Sequence, residues 1–150
     1  MDEFCRRACH HARSIVEDDF EVILVNDGSP DDSLQIATEL CATNPHLVVV
    51  DLSRNFGHHK AMMTGMAHAR GELVFLIDCD LEEDPEWLID FHAKLQTESC
   101  DVVYGVQKRR KGDWFERLSG WFFYRIFRWL TRVDLPKNIV VARLMTRQYV

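Results

Sequence analysis

The sequence predicts an α/β fold, a mostly parallel sheet flanked by helices, and three observations predict it. Short apolar runs rich in β-branched residues recur at 21–25 (EVILV), 47–52 (LVVVDL), 72–77 (ELVFLI) and 101–106 (DVVYGV). Segments with helical spacing of apolar residues lie between them. Turn residues, among them Asn26-Asp27-Gly28-Ser29-Pro30 and Asn55-Phe56-Gly57, punctuate the boundaries. Strands that alternate with helices form parallel sheets with right-handed crossovers. A near-continuous apolar run, rather than an alternating one, marks a strand covered on both faces.

Each element follows from its residues. In 3–16, Phe4, Ala8, His11/Ala12 and Ile15 fall on one helical side. The run 21–25 then reads as a buried strand. Ser29 suits an N-cap, Pro30 the first helical position, and Asp31 and Asp32 the first turn. Leu34, Ala37, Leu40 and Cys41 give the following helix its inward face. A second strand at 47–52 leads through Asn55-Phe56-Gly57 into a helix at 58–70. A third strand at 72–77 precedes a helix at 85–96, and the fourth is 101–106.

Charge divides the chain. Residues 1–104 carry 7 basic and 21 acidic side chains, net −14, whereas 105–150 carry 11 basic and 3 acidic, net +8. An acidic body that holds a cation and a basic segment that meets phosphates would have this pattern, as would solvated faces of unequal composition. The change near Gly105 separates an α/β core at 1–106 from a basic and aromatic segment at 107–150. The acidic body speaks against a nucleic-acid partner. No run reaches the roughly 18 apolar residues that a membrane-spanning helix needs. The charged first residues lack a secretory h-region, and five scattered cysteines form no disulfide framework. A cytoplasmic setting with reduced thiols is expected. Cys5, Cys9, His10 and His11 have no second ligand pair at zinc-site spacing.

In open α/β sheets, ligands bind beyond the carboxyl ends of the strands. Acidic motifs stand at two such ends: Asp27 after the first strand, and Asp78-Cys79-Asp80 after the third. If the chain stays extended there, Asp78 and Asp80 project to the same side. Two carboxylates so placed share a divalent ion, and oxygen ligands favour Mg²⁺ or Mn²⁺ over zinc. Further acids at Glu82, Glu83 and Asp84 crowd the stretch, which is costly without a cation nearby. The alternative is a polar strand terminus feeding a helix dipole. Asp27 can accept hydrogen bonds from a nucleoside while Gly28 lets the backbone turn, or it can simply close an Asx turn. Lys60 is either a phosphate ligand or an exposed charge.

The basic segment has its own pattern. Lys108-Arg109-Arg110-Lys111 precedes a stretch in which Phe115, Leu118, Phe122, Ile126 and Trp129 share one helical side. Arg117, Arg125, Arg128 and Arg132 line the flank. Such a helix lies at a bilayer interface, with its aromatics among the headgroups, or packs as a core helix with a solvated edge. Peripheral attachment to the cytoplasmic face of a membrane is expected.

Together EVILVNDGSPDDS (21–33), LSRNFGHHKAMMTGMAHARGE (52–72), VFLIDCDLEEDPEWL (74–88), the basic-aromatic segment at 102–127 and ARLMTR (142–147) resemble the family 2 glycosyltransferases of the GT-A fold. The resemblance is to polyprenyl-phosphate sugar transferases and bacterial surface-polysaccharide relatives. It implies a GT-A-like, Rossmann-like sheet, a UDP- or GDP-linked sugar donor and inversion by direct displacement. It implies that Asp27, with Gly28, Arg54, Asn55, Gly57, Lys60 and Asp78, forms the nucleotide side. Asp78 and Asp80 would be the metal-binding D-x-D, with Glu82 near the ion. Arg143 would bind donor or acceptor phosphate. A polyprenyl phosphate acceptor is already anionic and needs no base, whereas a glycan hydroxyl would want a carboxylate such as Asp84 or Glu83. Asp80, Asp84 and Arg143 are therefore the candidate catalytic set. The family's first strand, ending in a Pro-Val-Tyr-Asn-Glu-like turn, has no counterpart here, and its absence is expected to leave neighbouring strands unpaired. The chain reads as shortened at both ends relative to the family.

Overall fold

The structure is a computed structural model and describes residues 1–106 and 139–150. The aromatic and basic helix expected at 114–130 lies outside the described residues. The chain forms two compact units, Met1–Val103 with Val141–Val150, and Tyr104–Val140. Residues 141–150, which the sequence groups with the basic segment, belong to the first unit because they form a strand of its sheet.

The described elements are α1 (Asp2–Val16), β1 (Val22–Asn26), α2 (Ser33–Thr43), β2 (Leu47–Asp51), α3 (His58–His68), β3 (Leu73–Leu76), α4 (Trp87–Glu98), β4 (Val102–Val106) and β5 (Ile139–Thr146). All four expected strands and all four helices are present. β1 and β2 pair in parallel, Val22 opposite Leu47 through Asn26 opposite Asp51. The other sheet has the order β3-β5-β4. In it β5 runs antiparallel to β3, with Leu73 opposite Thr146 and Leu76 opposite Arg143. Among the described residues, β1 and β3 each have one strand neighbour, so the sheet is divided into two pieces.

Each piece has its own apolar core. Phe4, Cys5 and Cys9 of α1 pack with Leu24, Ala37 and Leu47, and Leu40, Cys41 and Val49 close around them. The buried side of α1 thus keeps the expected Phe4 and Ala8 and widens to take in the two cysteines beside them. Leu95, Val103 and Leu144 form the other core, with Leu88, Phe91 and Phe75 against it. Leu88, Phe91 and Leu95 are spaced three and four apart and so share one face of α4. Leu144 is 1% exposed. Burying such a side chain contributes roughly 1.5–3 kcal/mol.

α2 begins later than its sequence indicates. Its N-cap is Asp32, not Ser29. The reason is a turn: the Asn26 side chain accepts the Ser29 amide at 3.2 Å, and Asp31 accepts the Ser33 amide at 3.1 Å. These local bonds hold 26–31 out of helical conformation.

Candidate active site

The carboxyl ends of β1, β2 and β3 open onto one set of loops. Gly28 has φ +66°, and a Cβ there would lie 2.6 Å from the Asn55 nitrogen and 2.8 Å from the Arg54 carbonyl carbon. Only glycine permits both that conformation and that approach of two backbones. The Asp27 carboxylate completes the junction, accepting the amides of Phe56 at 2.7 Å and Gly57 at 2.9 Å. It is Asn26, rather than Asp27, that closes the Asx turn. Asp27 therefore builds the loop at 54–57, and its remaining lone pairs are what it can offer a nucleoside.

Cations flank the aromatic ring of that loop, one from the loop and one from the first turn of α3. The Arg54 guanidinium carbon lies 4.8 Å from the centre of the Phe56 ring, and Lys60 Nζ lies 6.0 Å from it. Phe56 is an exposed aromatic that sequence reasoning left without a role. Its place between a conformationally free glycine and an arginine was the available signal. Asn55 is exposed beside it.

The next residue, His58, joins this loop to the acidic one. Its Nε2 lies 3.8 Å from Asp78 Oδ1. β3 stops at Leu76, and Cys79 and Asp80 lie in a turn. The extended geometry that would project Asp78 and Asp80 to one side therefore does not hold. Asp80 Oδ1 accepts the Glu82 amide at 2.9 Å, and Leu81 takes φ +64° to close the turn. Asp80 and Glu82 are exposed and Asp78 is half-buried. Neither Asp78 nor Asp80 is paired with lysine or arginine among the described residues.

Two further carboxylates are engaged differently from the expectation that either serves as a base. Asp84 Oδ1 accepts from the Arg7 guanidinium of α1 and from the Glu86 amide at 2.9 Å. The amide bond first, and Arg7 second, hold its carboxyl below the usual range. Glu83 is buried, and its two oxygens accept the amides of Val141 and Ala142, each at 2.8 Å. Burial pushes its carboxyl up; the two amides oppose this, and the charges of Asp78 and Asp80 add to it. Arg143, half-buried on β5, donates from Nε to the Val141 carbonyl at 3.0 Å.

Among the described residues, no three His, Cys, Asp or Glu side chains converge as a metal cage, so Asp78, Asp80 and Glu82 do not together form one. The donors present are hard oxygens. They suit an ion held by one or two carboxylates whose other ligands are phosphate and water, as Mg²⁺ commonly is.

The family described as Glycosyl transferase family 2 matches residues 3–146. A protein of Mycobacterium tuberculosis described as putative glycosyltransferases is 51% identical over 148 residues, covering 99% of this chain and 43% of that protein. YkcC of Bacillus subtilis, described as an uncharacterised glycosyltransferase, is 37% identical over 133 residues, covering 88% of this chain and 41% of its own length. The crystal structure of S. aureus TarS 1-349 superposes with a TM-score of 0.50 at 28% identity, covering 73% of this chain and 34% of that one. The chain thus spans less than half the length of these relatives. With a match that runs almost from end to end, and with the fold to accompany it, the chain belongs to glycosyl transferase family 2.

Proposed function

We propose that this chain forms the donor-binding part of an inverting glycosyltransferase that moves a sugar from UDP or GDP to a polyprenyl phosphate at a membrane surface. The observation that carries the reading is the continuous junction from Asp27 through Gly57 and His58 to Asp78. It brings Arg54 of the loop and Lys60 of the first turn of α3 to the edge of an acidic loop. Cations beside carboxylates are what a metal-bound diphosphate asks for. The nucleoside side would be lined by Asp27, Gly28, Asn55 and Gly57, and the phosphates met by Arg54, Lys60 and Arg143.

Asp78 and Asp80 would hold Mg²⁺ or Mn²⁺, with Glu82 next to them in the turn. When bound, the ion offsets charge that grows on the departing diphosphate. Asp80 is held through one oxygen by the Glu82 amide, so its carboxylate is already oriented before any ligand arrives.

The state of the other carboxylates favours an anionic acceptor. A general base works best with a pKa near the operating pH. Asp84 is held low by its amide and Arg7, and both oxygens of Glu83 are already bonded to amides. Among the described residues of the acidic loop, neither is poised to take a proton from a sugar hydroxyl. A phosphate nucleophile does not need one. No helix of the described residues is long and apolar enough to cross a membrane. The eight basic residues from Lys108 to Arg132 support peripheral attachment, at about 1 kcal/mol each on an anionic surface.

Calorimetry with UDP and with GDP, with and without Mn²⁺, on the wild type and on Asp80→Ala tests the donor site. One nucleotide should bind in a metal-dependent way, and the substitution should weaken it at least about tenfold, or 1.4 kcal/mol. Metal-independent binding that ignores the substitution would refute the site. Transfer to polyprenyl phosphate in preference to a free glycan tests the acceptor. The reverse preference would assign a polysaccharide hydroxyl instead.

A further inference from the structure

β3 and β5 are antiparallel, and the last pair of their ladder is Leu76 with Arg143. Had β3 continued, Ile77 and Asp78 would have come opposite Ala142 and Val141. They do not, because the chain leaves the sheet at Ile77 to form the acidic loop. In this register the odd-numbered amides of β5 face β3, as the Arg147 amide does in donating to the Glu72 carbonyl, so the Val141 amide would be orphaned inside the unit, at a cost of about 1–3 kcal/mol. Glu83 prevents this. The chain returns through the turn at Asp80–Leu81 and places one carboxylate oxygen on each amide, at 2.8 Å. Glu83 is the one buried charged side chain among the described residues, at 8% exposure.

The same bonds reach Arg143. Val141 gives its N–H to Glu83 and receives Arg143 Nε on its carbonyl at 3.0 Å. One peptide-bonded residue therefore lies between the buried carboxylate and the candidate phosphate-binding arginine. Six residues, 77–82, lie between the end of the strand and Glu83, and Asp78 and Asp80 are among them.

We infer that Glu83 is a positioning residue that takes the place of the missing β3 rung at Val141 and holds the adjacent Ala142 amide with its other oxygen. It lets β3 end early, fixes the return of the loop that carries Asp78 and Asp80, and sets Arg143 against that loop. The inference rests on the donor-site reading above and deepens it: the bidentate Glu83 clamp makes the acidic loop and the β5 arginine one rigid unit.

The test compares E83Q and E83D with the wild type by two measurements. Amide hydrogen exchange reads the clamp directly. Calorimetry with Mn²⁺ and whichever of UDP or GDP the wild type binds reads the site, well below the melting temperature. Glutamine offers one oxygen where two amides need one each, so E83Q should speed exchange at Val141 and Ala142 more than tenfold while Leu144 stays protected. Its nucleotide affinity should fall about tenfold, with folding still cooperative. E83D keeps both oxygens and should recover part of each loss. Unchanged exchange at Val141 and Ala142 in E83Q would overturn the clamp. Faster exchange with wild-type affinity, or equal losses in E83Q and E83D, would overturn the positioning role. A wild type that binds neither nucleotide with Mn²⁺ would instead overturn the donor-site reading, and the positioning role with it.

Discussion

The two sheets reach the same end of the molecule by different means. β1 and β2 are a parallel pair joined through α2, and their loops meet by backbone contact at Gly28 and by the Asp27 carboxylate on two amides. β3 ends after four residues, and its loop is stitched to β5 by a buried side chain. In both, a carboxylate accepts two successive N–H groups. Asp27, though, is half-buried and shapes a loop of its neighbour, whereas Glu83 is buried and substitutes for a strand. The difference teaches that the first region is specified by steric permission and the second by satisfied polar groups.

Substitutions should separate the two regions, beginning with the largest effect. Leu144→Ala, in the core beneath β5, should cost about 2–5 kcal/mol in denaturant unfolding, because little can collapse around a side chain so enclosed. Leu24→Ala, beneath β1 at 9% exposure, should fall at the lower end of that range. Equal losses would mean that the two cores are equally well closed. Gly28→Ala comes next. Its positive φ and the Asn55 backbone 2.6 Å from the new Cβ should together cost about 2–3 kcal/mol. Gly57→Ala has φ +98° but nothing within 4 Å of the new Cβ, so conformation alone acts, at about 1 kcal/mol. If the two glycine variants melt together, close approach is not what joins the loops.

The smallest effect belongs to Asp84, at the rim of the second region. Its carboxyl is held below the ordinary 3.8 by the Glu86 amide and Arg7. A depressed pKa means that the folded state releases the proton more readily than the unfolded one. The resulting stability is present above pH 3.8 and is lost as pH falls through the folded value. Asp84 is 39% exposed, so solvent screening keeps the contribution under about 1 kcal/mol. Asp84→Asn should lower stability slightly at neutral pH and flatten its decline below about pH 4, as followed by thermal melts across pH. An unchanged acid limb would show that the Asp84 carboxylate adds no stability in solution.

Much of this was legible in the sequence because it is local. Runs such as EVILV and LVVVDL announce strands by composition, and the glycine after Asp27 announces a turn. The expectation of unpaired neighbouring strands is met by a sheet that lies in two pieces among the described residues. What escaped is non-local or depends on competition between bonds. β5 was not evident in IVVARLMT, because its register is set by pairing with residues some 70 positions earlier. The start of α2 was misplaced because Asn26 and Asp31 bind nearby amides more effectively than Ser29 caps. Glu83 and Asp84 look interchangeable in LEEDPE, yet one meets β5 and the other α1. No pattern of adjacent letters separates them; only the folded chain does.

The insertion of β5 between β3 and β4 has a consequence for how the molecule is made. The β1–β2 pair needs only the first fifty or so residues, which can associate while the ribosome is still at work. The acidic loop cannot take its final shape until the stretch 141–146 emerges and threads between two earlier strands. Long-range pairing of that kind is slow. During synthesis, the β1–β2 pair would therefore mature well before the sheet that carries the acidic loop.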